Sequence, residues 1–496
     1  MYLGLDLGTS AVKAVLVDEA GSVVASASCA LSISHPKPLW SEQNPHDWWR
    51  AAQAVIDNVL TLAKCDGISP ERIAALGLSG QMHGATLLDS AARVLRPAIL
   101  WNDGRSANEC RALEATPQFW ELTGNLAMPG FTAPKLLWLR AHEPRLFDQI
   151  SKVLLPKDYL RLMLSGDYAT DVSDASGTLW LDVKRRRFSS VLLEACGLSL
   201  EAMPSLHEGD EVTGQLSRAL AERWGMKRVP IAAGGGDNAA GAVGVGIVRA
   251  GQAMLSLGTS GVYFAVGDRY HTRVEQAVHG FCHALPGRWH LMSVMLSAAS
   301  CLDFCADVTG YANVGDLLGD AEREGLRREG PLFLPYLNGE RTPHNDPYAA
   351  GAFSGLRADT RRTDLAHAVL EGVGLGLLDG IAAVDAAGLS PTEITVIGGG
   401  SRSSYWVQML ADIVGRPLTR RAGADVGPAL GAARLARLAV EPSATASEIC
   451  SPPALLEVCE PNEANHAYYR ERRQPRFRSL YRQLLPLYDE SNVTPS

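Results

Sequence analysis

The segment Gly234-Gly235-Gly236-Asp237-Asn238 places one carboxylate behind three glycines, bounded by small and apolar residues from Ile231 to Gly241. A glycine run lets a ligand approach the backbone closely, and an aspartate there can accept a proton from a hydroxyl nucleophile. Phosphoryl transfer asks for little more: a base to orient the alcohol, a metal, and donors around the phosphate. The donors occur twice. Leu5-Asp6-Leu7-Gly8-Thr9-Ser10-Ala11-Val12 returns as Leu255-Ser256-Leu257-Gly258-Thr259-Ser260-Gly261-Val262, six identities in eight positions at an offset of 250. A Gly-Thr-Ser turn offers consecutive backbone N–H groups and two hydroxyls, which suits a phosphate oxygen. Two related turns, one per half, predict two phosphate-contacting hairpins facing each other across a cleft. Lys13 reads equally as a point charge for the terminal phosphates or as a solvated hairpin lysine. Asp6 is the only carboxylate in either copy. Beside a phosphate loop it would repel the phosphate unless a cation intervened, so it implies Mg²⁺ held directly or through water.

Two further clusters have the residue types that bind polyols. Gly80-Gln81-Met82-His83-Gly84 packs an amide, a thioether and an imidazole between glycines, and Trp101-Asn102-Asp103-Gly104-Arg105 follows the apolar Ala98-Ile99-Leu100. Each alone reads as a structural loop. Together with Asp237-Asn238 they point to a small polyhydroxylated substrate, gripped by paired hydrogen bonds with an apolar face against its C–H groups. Residues 234–239 also fit a loose G-x-G-x-x-A dinucleotide pattern, but no acidic residue follows about 20 positions on for the ribose. The P-loop pattern and the G-x-S-x-G elbow are both absent.

These residues need a frame. Each repeat copy sits between strand-like stretches, Tyr2 to Leu7 with Val12 to Val17, and Ala253 to Leu257 with Val262 to Val266. The spacing predicts a helix over 47–63, with Trp48, Ala52, Val55, Val59 and Leu62 on one face. Further strands are predicted over 73–78, 229–233 and 393–397, the last two ending in triple glycines, and helices over 365–378 and 405–414. Such alternation predicts an α/β architecture in each half, with function at the glycine-rich strand ends. The Arg-rich tail from Ala464 to Tyr488 reads as a solvated helix with its apolar side on the body.

With 496 residues the chain allows two to four domains at about 100 to 200 residues each. Apolar residues at 46% and charged residues at 20% make an ordinary globular composition, and a formal charge of -8 argues against nucleic acid or anionic lipid as partner. The start, Met1-Tyr2-Leu3-Gly4-Leu5-Asp6, lacks a secretory pattern. The uncharged stretch from Ala250 to Gly267 is too polar and glycine-rich for a membrane span. Nine cysteines without a CxxC pair read as reduced thiols of a cytosolic enzyme, with a metal at His279-x-x-Cys282-His283 as the lesser reading.

The whole chain resembles the FGGY carbohydrate kinases of the actin, Hsp70 and sugar kinase superfamily. The resemblance runs through Asp6-Leu7-Gly8-Thr9-Ser10, Gly80 to Gly84, Trp101-Asn102-Asp103, Gly234 to Asn238, Leu257 to Gly261 and Gly339-Glu340-Arg341-Thr342-Pro343. It continues through Gly398-Gly399-Gly400 and Asp425-Val426-Gly427-Pro428-Ala429-Leu430-Gly431. It implies two related ribonuclease H-like α/β domains, 1–244 for the sugar and 245–496 for ATP, with the active-site cleft between them. A last helix, about 464–488, can pack back on the first domain. The implied reaction is ATP-dependent phosphorylation of D-xylulose at O5, with closure about the connection after Asp237. Asp237 matches the base; Met82, His83, Trp101, Asp103 and Asn238 match the sugar pocket. Thr9, Ser10 and Lys13 match the first phosphate hairpin, Gly258, Thr259 and Ser260 the second, and Asp6 the acidic partner of MgATP. Gly399, Gly400 and Ser403 fall where the family holds adenosine, although many relatives carry Asn in place of Ser403. A homodimer and a cytoplasmic location are family expectations. The alternatives are a sibling kinase for another ketopentose, gluconate or glycerol, or a non-catalytic nucleotide switch.

Overall fold

The structure, a computed structural model, describes residues 1–325, 328–422 and 427–489. Strand β1 (Tyr2–Leu7) turns back into β2 (Ala11–Val17), which pairs antiparallel with β3 (Val23–Ala30). On its other side β1 runs parallel to β4 (Ala75–Gly80). Edge strand β5 (Val212–Gln215) is antiparallel to β6 (Pro230–Ala232), which lies parallel to β4. The pair Gly235–Gly236 joins the end of β4 and completes a seven-stranded sheet.

The second half builds the same sheet again. Its strands are β7 (Gln252–Leu257), β8 (Gly261–Gly267), β9 (His279–Cys282), β10 (Trp289–Met295), β11 (Glu393–Ile397), β12 (Leu418–Arg421) and β13 (Leu455–Cys459). They lie in the order β9-β10-β8-β7-β11-β12-β13. Leaving out β9, that order repeats β3-β2-β1-β4-β6-β5, with each parallel or antiparallel pairing the same. The repeated octapeptide is therefore the mark of a duplicated α/β sheet.

Every residue of β1 is buried, as befits a central strand covered on both faces. One cover is helix α1 (Pro45–Cys65), begun by the Asn44 side chain accepting from His46 N–H and by Pro45 in its first turn, and burying Trp48, Ala52, Val55 and Val59. It packs on β2 and β3. Helices α2 (Pro156–Ser165) and α3 (Val172–Ser176) close the carboxyl end of the first sheet. Helix α4 (Asp237–Gly244) leaves the triple-glycine turn. In the second half, α5 (Arg362–Ala386) is long and apolar enough by length and composition to cross a membrane, but it is the central helix of that half's core. Helix α6 (Ser404–Val414) follows the second triple glycine.

The other cover of the first sheet comes from the second half of the chain. Helix α7 (Gly427–Val440) lies across β1 and β4. A Cβ on Gly4 would sit 2.0 Å from the Ala429 carbonyl oxygen, and one on Gly77 1.9 Å from that of Ala432. Helix α7 also crosses α4, with the Arg434 guanidinium donating to the carbonyls of Val243 and Gly244, both at 3.0 Å, and to that of Ser451 at 2.8 Å. Asp425 and Val426 of the sequence motif lie outside the described residues.

The tail departs from expectation in two ways. Helix α8 (Gln474–Leu484) packs on the second half, not the first: Tyr469, Phe477 and Tyr481 join the core around α5. The apolar stripe finds its match there in Tyr336. Arg473, expected in solvent, is buried in an ion pair with Glu371 at 2.5 Å.

Candidate active site

Three strand ends meet side by side in the first sheet. Asp6 of β1 pairs in register with Ser79 of β4, which pairs with Gly235, and Gly80 pairs with Gly236. The chain then enters α4 with Asp237 as its first residue. A left-handed φ of +82° at Gly234, where a Cβ would lie 1.9 Å from the Leu78 carbonyl oxygen, makes that glycine obligatory.

Asp6 is buried, and its Oδ1 has no hydrogen-bond partner among the described residues. Burial, then the charge of Asp237, pushes its carboxyl up to about 7, while Ser79 and Lys13 pull it back. Asp237 is half-buried, and burial raises it to about 6 against the hydrogen bonds of Asn238. Asn238 donates its backbone N–H at 2.7 Å and its side-chain amide at 3.0 Å, both to Oδ1. The other carboxylate oxygen, Oδ2, accepts no hydrogen bond from the protein among the described residues. A Cβ on Gly236 would sit 2.9 Å from Met82 Cγ, so Met82 lies against the backbone that carries Asp237.

His83 holds a φ of +70°. Its Nδ1 lies 2.8 Å from the Gly177 carbonyl oxygen, and its own carbonyl accepts from Lys135 Nζ at 2.9 Å and Thr132 Oγ1 at 3.1 Å. Burial depresses the ring far below its ordinary range, helped by Lys135, His279 and Arg341. The imidazole is therefore neutral, with its proton on Nδ1 as the Gly177 contact requires, and Nε2 is an acceptor. His279, Phe281 and Arg341 come from the second half; none was singled out by its sequence context as a neighbour of His83.

The first hairpin and the Trp101 cluster belong to one hydrogen-bond network. Trp101, 41% exposed, donates Nε1 to Thr9 Oγ1 at 2.9 Å, and Thr9 Oγ1 donates to Gln81 Oε1 at 3.1 Å. Gln81 donates to Gln43 Oε1 at 3.0 Å, and Gln43 donates back to the Thr9 carbonyl at 2.7 Å. Gln43 carries no sequence signal, because one glutamine before a helix looks like any polar cap. Ser10 and Lys13 are exposed beside this hairpin. Asp103 is held differently: its buried carboxylate takes both forks of Arg105, at 2.9 and 2.7 Å, and the Ser41 N–H at 2.6 Å.

The second-half residues gather at the matching strand ends. Thr259 and Gly258 accept backbone bonds from Ala298 and Ala299, both at 2.9 Å, which fixes the turn that Ser260 closes. Ser256 pairs with Ile397, so Gly398-Gly399-Gly400 starts beside that turn. Around Gly399 there is open space, whereas a Cβ on Gly400 would strike Trp406. Ser403 caps α6, its Oγ accepting from Trp406 N–H at 3.2 Å. Among the described residues no hydrogen bond joins this cluster to the one around Asp6 and Asp237.

No group of three or more His, Cys, Asp or Glu among the described residues could hold a metal. In the His279–His283 segment, His279 Nδ1 meets Asn125 Oδ1 at 3.0 Å, Cys282 donates to the Val183 carbonyl, and His283 Nε2 meets the Ile247 carbonyl at 3.2 Å. A single partnerless carboxylate oxygen at Asp6, beside a phosphate-type hairpin, is instead what Mg²⁺ carried in by phosphates requires.

Residues 1–244 match the N-terminal domain of the FGGY family of carbohydrate kinases, and residues 253–440 match its C-terminal domain. The chain is 58% identical over 488 residues to the xylulose kinase of Escherichia coli strain K12, covering 98% of this chain and 100% of that one. It is 54% identical to the xylulose kinase of Klebsiella pneumoniae at the same coverage. The crystal structure of a xylulose kinase from Brucella ovis superposes with a TM-score of 0.94 at 47% identity, covering 98% of this chain and 99% of that one.

Proposed function

The chain belongs to the FGGY family of carbohydrate kinases, and from that membership we propose that it transfers the γ-phosphoryl group of ATP to O5 of D-xylulose. The products are D-xylulose 5-phosphate and ADP. The observation that carries the reading at the site is Asp237, with one oxygen clamped by Asn238 and the other open, beside the partnerless oxygen of Asp6.

Asp237 Oδ2 accepts the O5 proton as O5 bonds to phosphorus and the bond from phosphorus to the β-phosphate oxygen breaks. A carboxylate poised near 6 suffices, since the alcohol loses its proton late in a loose transition state. His83 Nε2 and the Asn238 amide receive and orient sugar hydroxyls, with Met82 and Trp101 against the C–H face. Asp103 orients the Trp101 loop through Arg105. The hairpins Thr9–Ser10 and Gly258–Ser260 hold phosphates from either side, with Lys13 adding charge, and Gly399 leaves room for adenosine while Gly400 lets the turn close on Trp406. The cap role of Ser403 favours indirect support over contact. Asp6 would hold Mg²⁺, which neutralises charge on the β- and γ-phosphates. We assign 1–244 to the sugar and 245–496 to ATP, with closure between them aligning O5 and phosphorus and excluding water.

Coupled ADP release across D-xylulose, D-ribulose, gluconate and glycerol tests the reading. A marked preference for D-xylulose is expected. Preference for another sugar would move the assignment to a sibling activity, and sugar-independent hydrolysis alone would favour a nucleotide switch.

A further inference from the structure

Behind Asp237 lies a buried charged cluster that takes no part in the reaction. Lys157 on α2 reaches Asp158 Oδ1 at 2.6 Å, Asp171 Oδ1 at 2.9 Å and Asp174 Oδ2 at 3.3 Å, all four side chains being closed to solvent. Arg161, one turn along, donates Nη2 to the carbonyls of Ala232 and Ala233, both at 2.7 Å. Asp174 is held well above the ordinary carboxylate range by burial, against the pull of Lys157. Burying so many ionisable groups costs stability compared with an apolar core, so a purely structural purpose is an expensive one.

Where the hydrogen bonds end is informative. Arg161 holds the carbonyls just before the triple glycine. At its far end, Ser173 Oγ donates to Asp171 Oδ2 at 2.5 Å and accepts the Gly236 N–H at 3.1 Å. Asp171 also caps α3, accepting from Ser173 N–H at 2.7 Å. With its proton on Asp171, the Ser173 hydroxyl can only accept from Gly236. Three glycines in a row have no side chains to lock them by packing, so hydrogen bonds must fix their path.

We propose that the chain Lys157–Asp171–Ser173 is a positioning device that fixes Gly236, and through it the carboxylate of Asp237, in line with the reacting hydroxyl. Lys157 orients Asp171, Asp171 sets the Ser173 hydroxyl, and Ser173 pins the backbone one residue before the base. None of these residues touches substrate. The inference rests on Asp237 being the base in D-xylulose phosphorylation, so wild-type turnover is measured first.

The experiment compares steady-state kinetics of the full chain and its Ser173→Ala, Ser173→Thr and Ser176→Ala variants, with thermal unfolding of each. Ser176 sits on the same short helix, equally buried, and is bonded to the Val172 carbonyl and the Cys282 N–H instead of the glycine run. Ser173→Ala is expected to lower kcat about tenfold with KM for D-xylulose within about twofold, since loosening a reacting geometry costs rate more than binding. Ser173→Thr restores kcat, and Ser176→Ala leaves it unchanged. Unchanged kcat in Ser173→Ala, or equal losses in Ser173→Ala and Ser176→Ala, would overturn the proposal. Should Ser173→Ala fail to fold, Asp171→Asn takes its place: a fall in kcat with KM held supports the proposal, and kcat and KM moving together sinks it. A wild type inactive on D-xylulose strikes the proposed function, a result distinct from any of these.

Discussion

Asp237 has one oxygen held by Asn238 and one oxygen for the substrate, so replacing the acid by its amide removes the base while keeping the shape. Asp237→Asn is expected to lower kcat by roughly 10²-fold or more, with the D-xylulose dissociation constant changed only a few-fold; rapid-mix turnover and sugar titration check the split. The raised carboxyls also set a pH dependence. An acid lifted to about 6 is protonated, and unable to accept the O5 proton, at lower pH. Through Asp237 alone, kcat/KM for D-xylulose should therefore fall about tenfold per unit below pH 6 and level off about one unit above it. A profile flat from pH 5 to 8 would rule out Asp237 as the group in control. At this scale the sequence spoke clearly wherever a residue type was unusual in its setting. Asp237 after three glycines, and Asp6 facing Ser256 in the repeat, both stand out that way. Lys157, Asp171 and Ser173 do not, because a lysine or serine inside a helix pattern looks solvated until the fold closes around it. Ser403 has a role its motif did not announce: its hydroxyl caps α6 by accepting from Trp406 N–H.

The glycines divide elements into those that tolerate change and those that do not. A Cβ on Gly236 meets the flexible end of Met82, with Cγ at 2.9 Å and Sδ at 3.0 Å. Gly236→Ala should fold and raise KM for D-xylulose several-fold as Met82 is pushed aside. On Gly431 the same atom would lie 1.7 Å from the Ala240 carbonyl oxygen, where only the backbones of α4 and α7 can yield. Gly431→Ala is expected to lose about 3 kcal/mol or more, in the range of severe overpacking, measured by denaturant unfolding. The elements themselves were mostly legible. The strand predicted at 393–397 is Glu393–Ile397, and the helix predicted at 405–414 is Ser404–Val414. The helix predicted at 365–378 grew to Arg362–Ala386, because Asp379, Gly380, Ile381, Ala383 and Val384 beyond the predicted end are buried by tertiary packing that periodicity alone does not reveal. What the pattern could not show is which sheet a helix will cover. Helix α7 has an Ala- and Gly-rich face suited to any close partner, and it found the sheet of the other half.

For the whole molecule, that crossing ties the two sheets together. Residues 1–244 contain β1 and β4 complete, yet α7, from beyond residue 244, covers one face of both strands. A fragment ending at residue 244 should therefore unfold without a sharp transition, whereas the full chain unfolds cooperatively; calorimetry of both decides it, and a sharp transition in the fragment would contradict the dependence. The crossing of α4 and α7, with Arg434 capping α4, would serve as the pivot of the proposed closure, because two rigid helices in backbone contact can shear. The duplication was readable from two octapeptides 250 residues apart, while the exchange of a helix between the copies was not, since no repeat marks it.

The borrowed helix also sets a timetable for biosynthesis. The first sheet's own strands are finished by residue 236, but the helix that shields β1 and β4 begins at Gly427. At about 5–20 residues per second, the ribosome leaves that apolar face bare for roughly 10–40 s. During this interval the nascent chain is a natural client for a holdase, and the vulnerable surface is the glycine-lined face of β1 and β4 that α7 later covers.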